Sequence, residues 1–306
     1  MPEELLSRGS CHGFEIRAPE PLEYVRDGGG TPLVLTEATN SRVPDTGRLL
    51  QSWQPTENRP EAIRLFQHDE GYTVVMGEPH WFVIGNDGSR IAMGPPACGP
   101  HREELLWATP SAVAMARRGD LVFHAAAVEI EGRALLLAGP SHAGKTTTAA
   151  AFFCAGHRLL SDDTTCCRLS EEITVPPGPA LLRLRADAAE HLSPSGVYPT
   201  FEYPERVHLG IEHEFRGDGK PIPLAGVVVL VVSDGEPDLS RIPPAEALQA
   251  LWPTSFYLPD GSDFERCFRG LASIAERVPI WRLERRLDWE TLPAIVDRVT
   301  RVLGSP

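Results

Sequence analysis

Residues 139–146 read Gly-Pro-Ser-His-Ala-Gly-Lys-Thr, which fits G-x-x-x-x-G-K-[ST] at every fixed position. An apolar run, Ala134–Ala138, leads in, and a small-residue helical run, Lys145–Cys154, leads out. Gly139 and Gly144 let the backbone wrap tightly and turn its N–H groups inward, with those of Ser141, His142, Ala143 and Thr147 alongside. The N–H groups and the helix N-terminus would bind β-phosphate oxygens without a charge of their own. Lys145 adds a point charge toward the β/γ-phosphates, and the Thr146 hydroxyl is a Mg²⁺ ligand. The implied cofactors are ATP and Mg²⁺. His142 occupies a free position of the motif and is expected to face solvent.

Transfer from such a loop to an alcohol needs a carboxylate that organises the metal and a base that takes the hydroxyl proton. Asp162 and Asp163 follow an apolar strand 16 and 17 residues after Thr146. One can hold the metal while the other points at the acceptor, and their mutual repulsion pushes one pKa upward. His124 stands on an otherwise apolar strand, "LVFHAAAVEI", that leads toward the same edge. On pattern alone such a histidine is a satisfied core residue.

Several elements must position these groups. "DLVFHAAAVEI-EGR-ALLLAG" reads as two β-runs joined by a tight glycine turn, and "HRLLSDDTTCCRL" as two short strands around a polar kink. The valine-rich run 224–232 reads as a strand buried on both faces. The helix from Lys145 should stop at Gly156, another opens at Pro244, and a third begins with a Ser262/Glu265 capping box. Phe264, Phe268, Leu271, Ile274 and Val278 recur at helical spacing, as do Leu292, Ile295, Val296, Val299 and Leu303. Upstream, Tyr72–Met76, Trp81–Ile84 and Arg90–Met93 suggest a small antiparallel sheet, with Asn86-Asp87-Gly88 as a hairpin turn. The first 60 residues, "SWQPTENRPEA" included, read as loops with short strands, and "EELLWATPSAVAMARRG", 103–119, as helix interrupted at Pro110. The fold class is α/β: a smaller, mostly β N-terminal domain, 1–117, and a catalytic domain, 118–306.

The 306 residues carry a net charge of -13, which gives no general case for nucleic acid or an anionic membrane as partner. Cys11, Cys98, Cys154, Cys166, Cys167 and Cys267 form no CxxC pair and read as reduced thiols. No signal-peptide pattern and no run near the ~20 apolar residues of a membrane span is seen, so a cytoplasmic protein is expected.

The stretch "FHAAAVEI-EGRALLLAGPSHAGKTTTAAAFFCAGHRLLSDD" resembles the catalytic core of the HPr kinase/phosphorylase superfamily. Its ending, Gly156-His157-Arg158-Leu159-Leu160-Ser161-Asp162-Asp163, matches that family's pattern in order and spacing. The distance from the loop to the double aspartate discriminates, because other P-loop families place the metal aspartate far later. "VPIWRLERRLDWETLPAIVDRV" is similar to the end of HPr-kinase-related kinases that act on lasso-peptide precursors. The likeness is strong over about 120–170, moderate over 220–306 and weak before 115. It implies a P-loop domain of the HPr kinase/phosphoenolpyruvate carboxykinase type. It further implies ATP-dependent phosphorylation of a hydroxyl, a Ser of a precursor peptide. By the family pattern Asp162 is the base, Asp163 its companion and a metal ligand with Thr146, and His124 lies at the active site. The family has Gly at His142 and Ser at Thr146, and its metal-binding glutamate and C-terminal arginine loop have no counterpart here, so HPr is not the implied acceptor. Arg216 and Lys220, in a polar loop of the right region, are candidates to stabilise the transferring phosphate. A kinase of a small hydroxyl metabolite or free amino acid, and a nucleotide-binding regulator without transfer, are the alternatives. Homo-oligomers occur in the family, and this chain could form one.

Overall fold

The computed structural model describes residues 5–38, 42–44, 47–53, 63–77, 79–95, 100–203 and 205–304. Cys98 and most of "SWQPTENRPEA" lie outside the described residues. The fold is mixed α/β, with several sheets.

The N-terminal strands are β1 (Leu6–Cys11), β2 (Phe14–Ala18), β3 (Thr31–Glu37), β4 (Arg48–Trp53), β5 (Ile63–His68), β6 (Gly71–Met76), β7 (Trp81–Gly85) and β8 (Arg90–Met93). Among the described residues they form one eight-stranded sheet, ordered β1-β2-β3-β8-β7-β6-β5-β4. The expected meander of β6, β7 and β8 is antiparallel, with Gly88 in the turn at φ 71°. The sheet is larger than that meander and is not all antiparallel: β3 pairs in parallel with both β2 and β8. Parallel pairing needs a crossover connection in place of a tight hairpin, which local turn patterns do not announce. Helices α1 (Pro100–Leu106) and α2 (Thr109–Arg118) follow. Pro110 opens α2, where its missing N–H breaks no helical bond.

The chain continues through β9 (Leu121–Phe123), β10 (Ala126–Ile130), β11 (Arg133–Ala138), α3 (Lys145–Cys154), β12 (Arg158–Ser161), β13 (Thr165–Cys167), β14 (Thr174–Val175) and β15 (Leu181–Arg185). Next come α4 (Ala186–Leu192), β16 (Val197–Tyr203), β17 (Arg206–Ile211), α5 (His213–Arg216), β18 (Ile222–Val232), β19 (Asp238–Arg241) and α6 (Pro244–Leu251). The last elements are β20 (Ser255–Phe256), α7 (Gly261–Arg277), β21 (Ile280–Arg285) and α8 (Leu292–Gly304). The main sheet runs β12-β10-β11-β18-β21-β19, with β11, β18 and β21 mutually parallel.

Period-two alternation explains why β11 is apolar throughout. Leu135 and Leu137 join the core under α3 and α8, while Ala134, Leu136 and Ala138 join the opposite core under α6 and α7. The adjacent Cys166 and Cys167 likewise point into two different cores. Cys11, Cys154, Cys166, Cys167 and Cys267 are free thiols. α3 ends as expected, with Gly156 at φ 91°. The cap of α7 differs from expectation: Asp260, not Ser262, is the N-cap, and its carboxylate accepts the Asp263 N–H at 2.7 Å. A carboxylate serves the positive helix end better than a hydroxyl does, and the Ser262 hydroxyl donates to Asp260 instead. Phe264 and Phe268 are not on the buried face of α7, which is formed by Cys267, Gly270, Leu271 and Ile274.

The two parts of the chain share a core. Val122, Cys166, Leu181 and Leu258 pack among the N-terminal residues Phe14, Leu33 and Met115. His12 is buried at this junction, at φ 51°, and neither ring nitrogen has a hydrogen-bond partner among the described residues. Burial, then the charges of Arg118, Arg26 and Arg183, lower its pKa to about 3. Below the ordinary histidine value the unfolded chain therefore binds a proton that the fold refuses. Stability should fall as pH drops from the ordinary value toward 3, by about 1.4 kcal/mol per pH unit from this residue. Urea unfolding of wild type and His12→Asn between pH 4 and pH 7 checks this. The variant should show the shallower acid slope; equal slopes would exclude His12 as the source.

Candidate active site

Gly144 opens α3 at φ 82° and gives it no side-chain cap, so the first N–H groups of the helix point into the 139–146 loop. The loop is held open by its glycines. A Cβ on Gly139 would lie 2.7 Å from the Leu230 carbonyl oxygen, and one on Gly144 would lie 2.6 Å from Arg285 Nη2. His142 is also left-handed, at φ 65°, and exposed with Ser141. Successive N–H groups in such alternating conformations make an anion-binding nest. The buried Lys145 Nζ donates to the carbonyls of Gly139 and Pro140, each at 3.0 Å, so the ammonium sits across the loop mouth. Burial lowers its pKa, opposed by the charges of Asp163 and Asp162. Beneath the loop, buried Arg285 donates to the Thr148 hydroxyl at 2.8 Å and the Ala143 carbonyl at 3.4 Å.

Thr146 and the aspartates come together as their spacing suggested. The Thr146 hydroxyl donates to Asp162 Oδ1 at 2.7 Å. The other oxygen of Asp162 accepts the backbone N–H of Arg183 at 2.9 Å. Asp162 is 1% exposed, and its pKa is raised by burial and then by the charge of Asp163. Asp163 adopts φ 68°, which aspartate tolerates, so the two consecutive side chains diverge. The Asp163 side chain is 43% exposed, with Oδ1 3.2 Å from His124 Nδ1. The same nitrogen lies 3.1 Å from the Asp163 carbonyl oxygen, and two acceptors facing Nδ1 put the proton there. Surrounding protein works to raise the Asp163 pKa, but the hydrogen bond and charge of His124, with Arg183 and Arg206, outweigh it and hold the carboxyl well below the usual range. The Ser161 and Thr165 hydroxyls meet at 2.5 Å, and Thr165 donates to the Ala125 carbonyl at 2.8 Å, bracing this turn beside the His124 strand.

His124 is therefore exposed against Asp163 and is not a core residue. Arg216 and Lys220 do not reach it. Arg216 donates to the carbonyls of Ile211 and Val25 and to the Tyr198 hydroxyl, and Lys220 pairs with Asp218 at 3.0 Å. Besides His124 and Lys145, the positive charges near Asp163 include Arg183 on β15 and Arg206 at the start of β17, neither of which the sequence marked. The only signal was the alternation "LLRLR" downstream of the aspartates. Among the described residues no group of three or more His, Cys, Asp and Glu side chains is arranged to hold a metal. The donors present, the Thr146 hydroxyl and the Asp162 carboxylate, are hard oxygen ligands of the kind Mg²⁺ takes, and Mg²⁺ keeps water or phosphate oxygens for the rest. No helix among the described residues is long and apolar enough to cross a membrane.

No family model matches this chain, and no curated protein matches it. Among solved structures, the chain is similar to the Hpr(Ser) kinase/phosphatase from Coxiella burnetii, with 14% identity and a TM-score of 0.32. The match covers 59% of this chain and 94% of that one.

Proposed function

We propose that this protein is an ATP-dependent kinase that transfers the γ-phosphoryl group to a hydroxyl, a Ser of a precursor peptide of the lasso type. One observation carries the reading: a single turn delivers Asp162 to the loop threonine and Asp163 to a histidine at an exposed mouth. Nucleotide binding alone needs only the first of these contacts. Proton abstraction from an acceptor needs a second carboxylate, oriented and open to solvent, and Asp163 meets that need.

The geometry supports a division of labour opposite to the family pattern. Asp162, buried and bonded to Thr146, suits the metal; Asp163, exposed and oriented by His124, suits the base. Mg²⁺, when bound at Thr146 and Asp162, supplies charge neutralisation at the phosphate oxygens. Lys145 and the loop N–H groups bind the β- and γ-phosphates. His124 Nδ1–H fixes the Asp163 carboxylate. As the acceptor oxygen bonds to the γ-phosphorus, the bond from that phosphorus to the β–γ bridging oxygen breaks, ADP leaves, and the hydroxyl proton passes to Asp163. A loose transition state builds little charge on the acceptor until late, so a base held at low pKa still serves by position. Arg183 and Arg206 add positive potential at Asp163. The N-terminal part, 1–117, joins acceptor recognition in this reading, in the cytoplasm, with no nucleic acid or membrane partner.

The test is incubation with Mg²⁺ and γ-labelled ATP in the presence of Ser-containing peptides, free serine and small alcohols. Label on a peptide is expected. Label on a small molecule alone would replace the acceptor class, and tight ATP binding without transfer to any of them would overturn the kinase reading.

A further inference from the structure

Strand β18 runs parallel both to β11, which leads into the phosphate loop, and to β21, which ends at Arg285. The carboxyl ends of the three strands therefore share one edge, where open α/β sheets hold their ligands. From that edge the Arg285 side chain turns beneath the loop, and it is 2% exposed. Its Nη2 is engaged by the Thr148 hydroxyl and the Ala143 carbonyl, and its Nη1 donates to the Arg286 carbonyl at 3.2 Å. Its buried Nε has no hydrogen-bond partner among the described residues. The guanidinium lies against Gly144, the residue that opens α3.

No protein group balances this charge. A buried arginine is ordinarily paired with a carboxylate. Among the described residues Arg285 forms no ion pair. Asp288, the acid whose charge is felt there, pairs with Arg286 at 3.8 Å and accepts the Thr291 N–H at 2.9 Å. The helix makes the position less favourable still. Arg285 sits at the N-terminal, positive end of α3, and the first turn of α3 holds no acidic residue. Lys145 adds a second buried cation at the same end. The cost of burial shows in Arg285 itself, whose pKa is lowered by desolvation. An anion in the loop would face the guanidinium, the ammonium and the helix end together, in surroundings of low dielectric.

We propose that Arg285 is a positioning residue for the nucleotide, its buried charge being the counter-charge of the bound phosphate groups. It acts from below, through space and through the Ala143–Gly144 backbone, and its Nη atoms stay on their protein partners. The inference rests on the phosphate-loop reading and deepens it: the loop selects its ligand by the charge of the phosphate chain.

The test sets ligand affinity against the stability of the ligand-free protein. Full-length wild type and variants are titrated calorimetrically with ADP, a non-hydrolysable ATP analogue and inorganic tripolyphosphate in Mg²⁺, and are melted without ligand. Arg285→Met should bind the ATP analogue and tripolyphosphate about 30-fold more weakly, with a smaller loss for ADP. Without ligand it should melt at the wild-type temperature or above, because a buried unpaired charge has gone. Arg285→Gln keeps a donor for Thr148 without the charge, and takes the place of Arg285→Met should that variant lose its thermal transition. Arg285→Lys, which keeps the charge, should stay within about threefold of wild type. A lower melting temperature with wild-type affinity would make Arg285 a structural residue and overturn the proposal. Equal losses for ADP and the triphosphates, or a lysine variant as weak as the methionine one, would overturn it as well. Tight binding by wild type without phosphoryl transfer would keep this inference and remove the kinase reading. A wild type that binds none of the three ligands would overturn both.

Discussion

Asp163→Asn lowers kcat for phosphoryl transfer by about 10³-fold and leaves ATP affinity unchanged, whereas Asp162→Asn raises the half-saturating Mg²⁺ concentration by roughly 10–100-fold. The contrast follows from the contacts each carboxylate makes. Asparagine at 163 keeps the size of the side chain and an acceptor for His124 Nδ1, but it takes no proton from the incoming hydroxyl. The phosphate loop, which Asp163 does not bond, keeps its shape. At 162 the amide puts an N–H₂ group against either the Thr146 hydroxyl or the Arg183 N–H, and the oxygen set that suits a divalent cation is lost. Steady-state kinetics at varied Mg²⁺, with equilibrium binding of an ATP analogue, resolves the two effects. The reverse outcome, with kcat lost in Asp162→Asn and the Mg²⁺ requirement shifted in Asp163→Asn, would restore the division of roles that the family pattern implies. The pH profile adds a sign. Because the Asp163 carboxyl is held low, it stays ionised as pH falls through the usual carboxylate range, so an acid limb of kcat in that range would have to come from another group.

Arg26→Met destabilises the protein by about 3 kcal/mol, read as a fall in Tm of roughly 5 °C. Arg26 is 1% exposed and its guanidinium faces backbone carbonyls. Its Nε donates to Gly178 at 2.9 Å, and its Nη2 donates to Leu159 at 2.9 Å and Leu160 at 3.1 Å. Its Nη1 donates to the Arg216 carbonyl. Burial lowers its pKa to about 9, so it remains charged at neutral pH. Methionine fills much of the volume and satisfies none of these acceptors, and buried unpaired carbonyls cost about 1–3 kcal/mol each before relief of the buried charge is subtracted. Two of the bonds cross from the N-terminal part to β12, the strand that leads into Asp162, so the loss falls on the junction between the two halves. Arg26→Lys, with a point charge that reaches fewer of the four, should recover part of the deficit. A loss under about 1 kcal/mol in the methionine variant would mean that these carbonyls find other donors, and that the junction is held by its apolar core instead.

The features that were legible in the sequence are those encoded within a short window. The phosphate-loop motif between a strand and a helix, the strand at 224–232 and the apolar stripe of α8 follow from local periodicity and turn chemistry, whereas only Leu271 and Ile274 of the stripe expected on α7 lie on its buried face. The 16-residue step from Thr146 to Asp162 also survives folding, because one helix and one strand of ordinary length span it and return the chain to the loop. The N-terminal sheet was legible only as hairpins. Of β3's two parallel pairings, one is with the preceding strand β2 across a crossover and one with the remote β8, and no residue in β3 names its neighbours.

What only the tertiary structure decided are the encounters. The order Asp162-Asp163 cannot say which carboxylate meets Thr146; the left-handed turn at Asp163 does, by sending the two side chains different ways. His124 reads as a core histidine on its apolar strand alone, and only the family resemblance put it at the site; antiparallel pairing of β9 with β13 brings its ring to a residue 39 positions away. Arg216 read as a free cation in a polar loop, yet its charge is spent on carbonyls and Tyr198, while Arg183 and Arg206 add positive charge near Asp163 from a hairpin with no motif. Side-chain chemistry over a few residues is fixed by spacing along the backbone. Chemistry between elements is fixed by how their buried faces pack, and the packing of a face depends on every other face it meets.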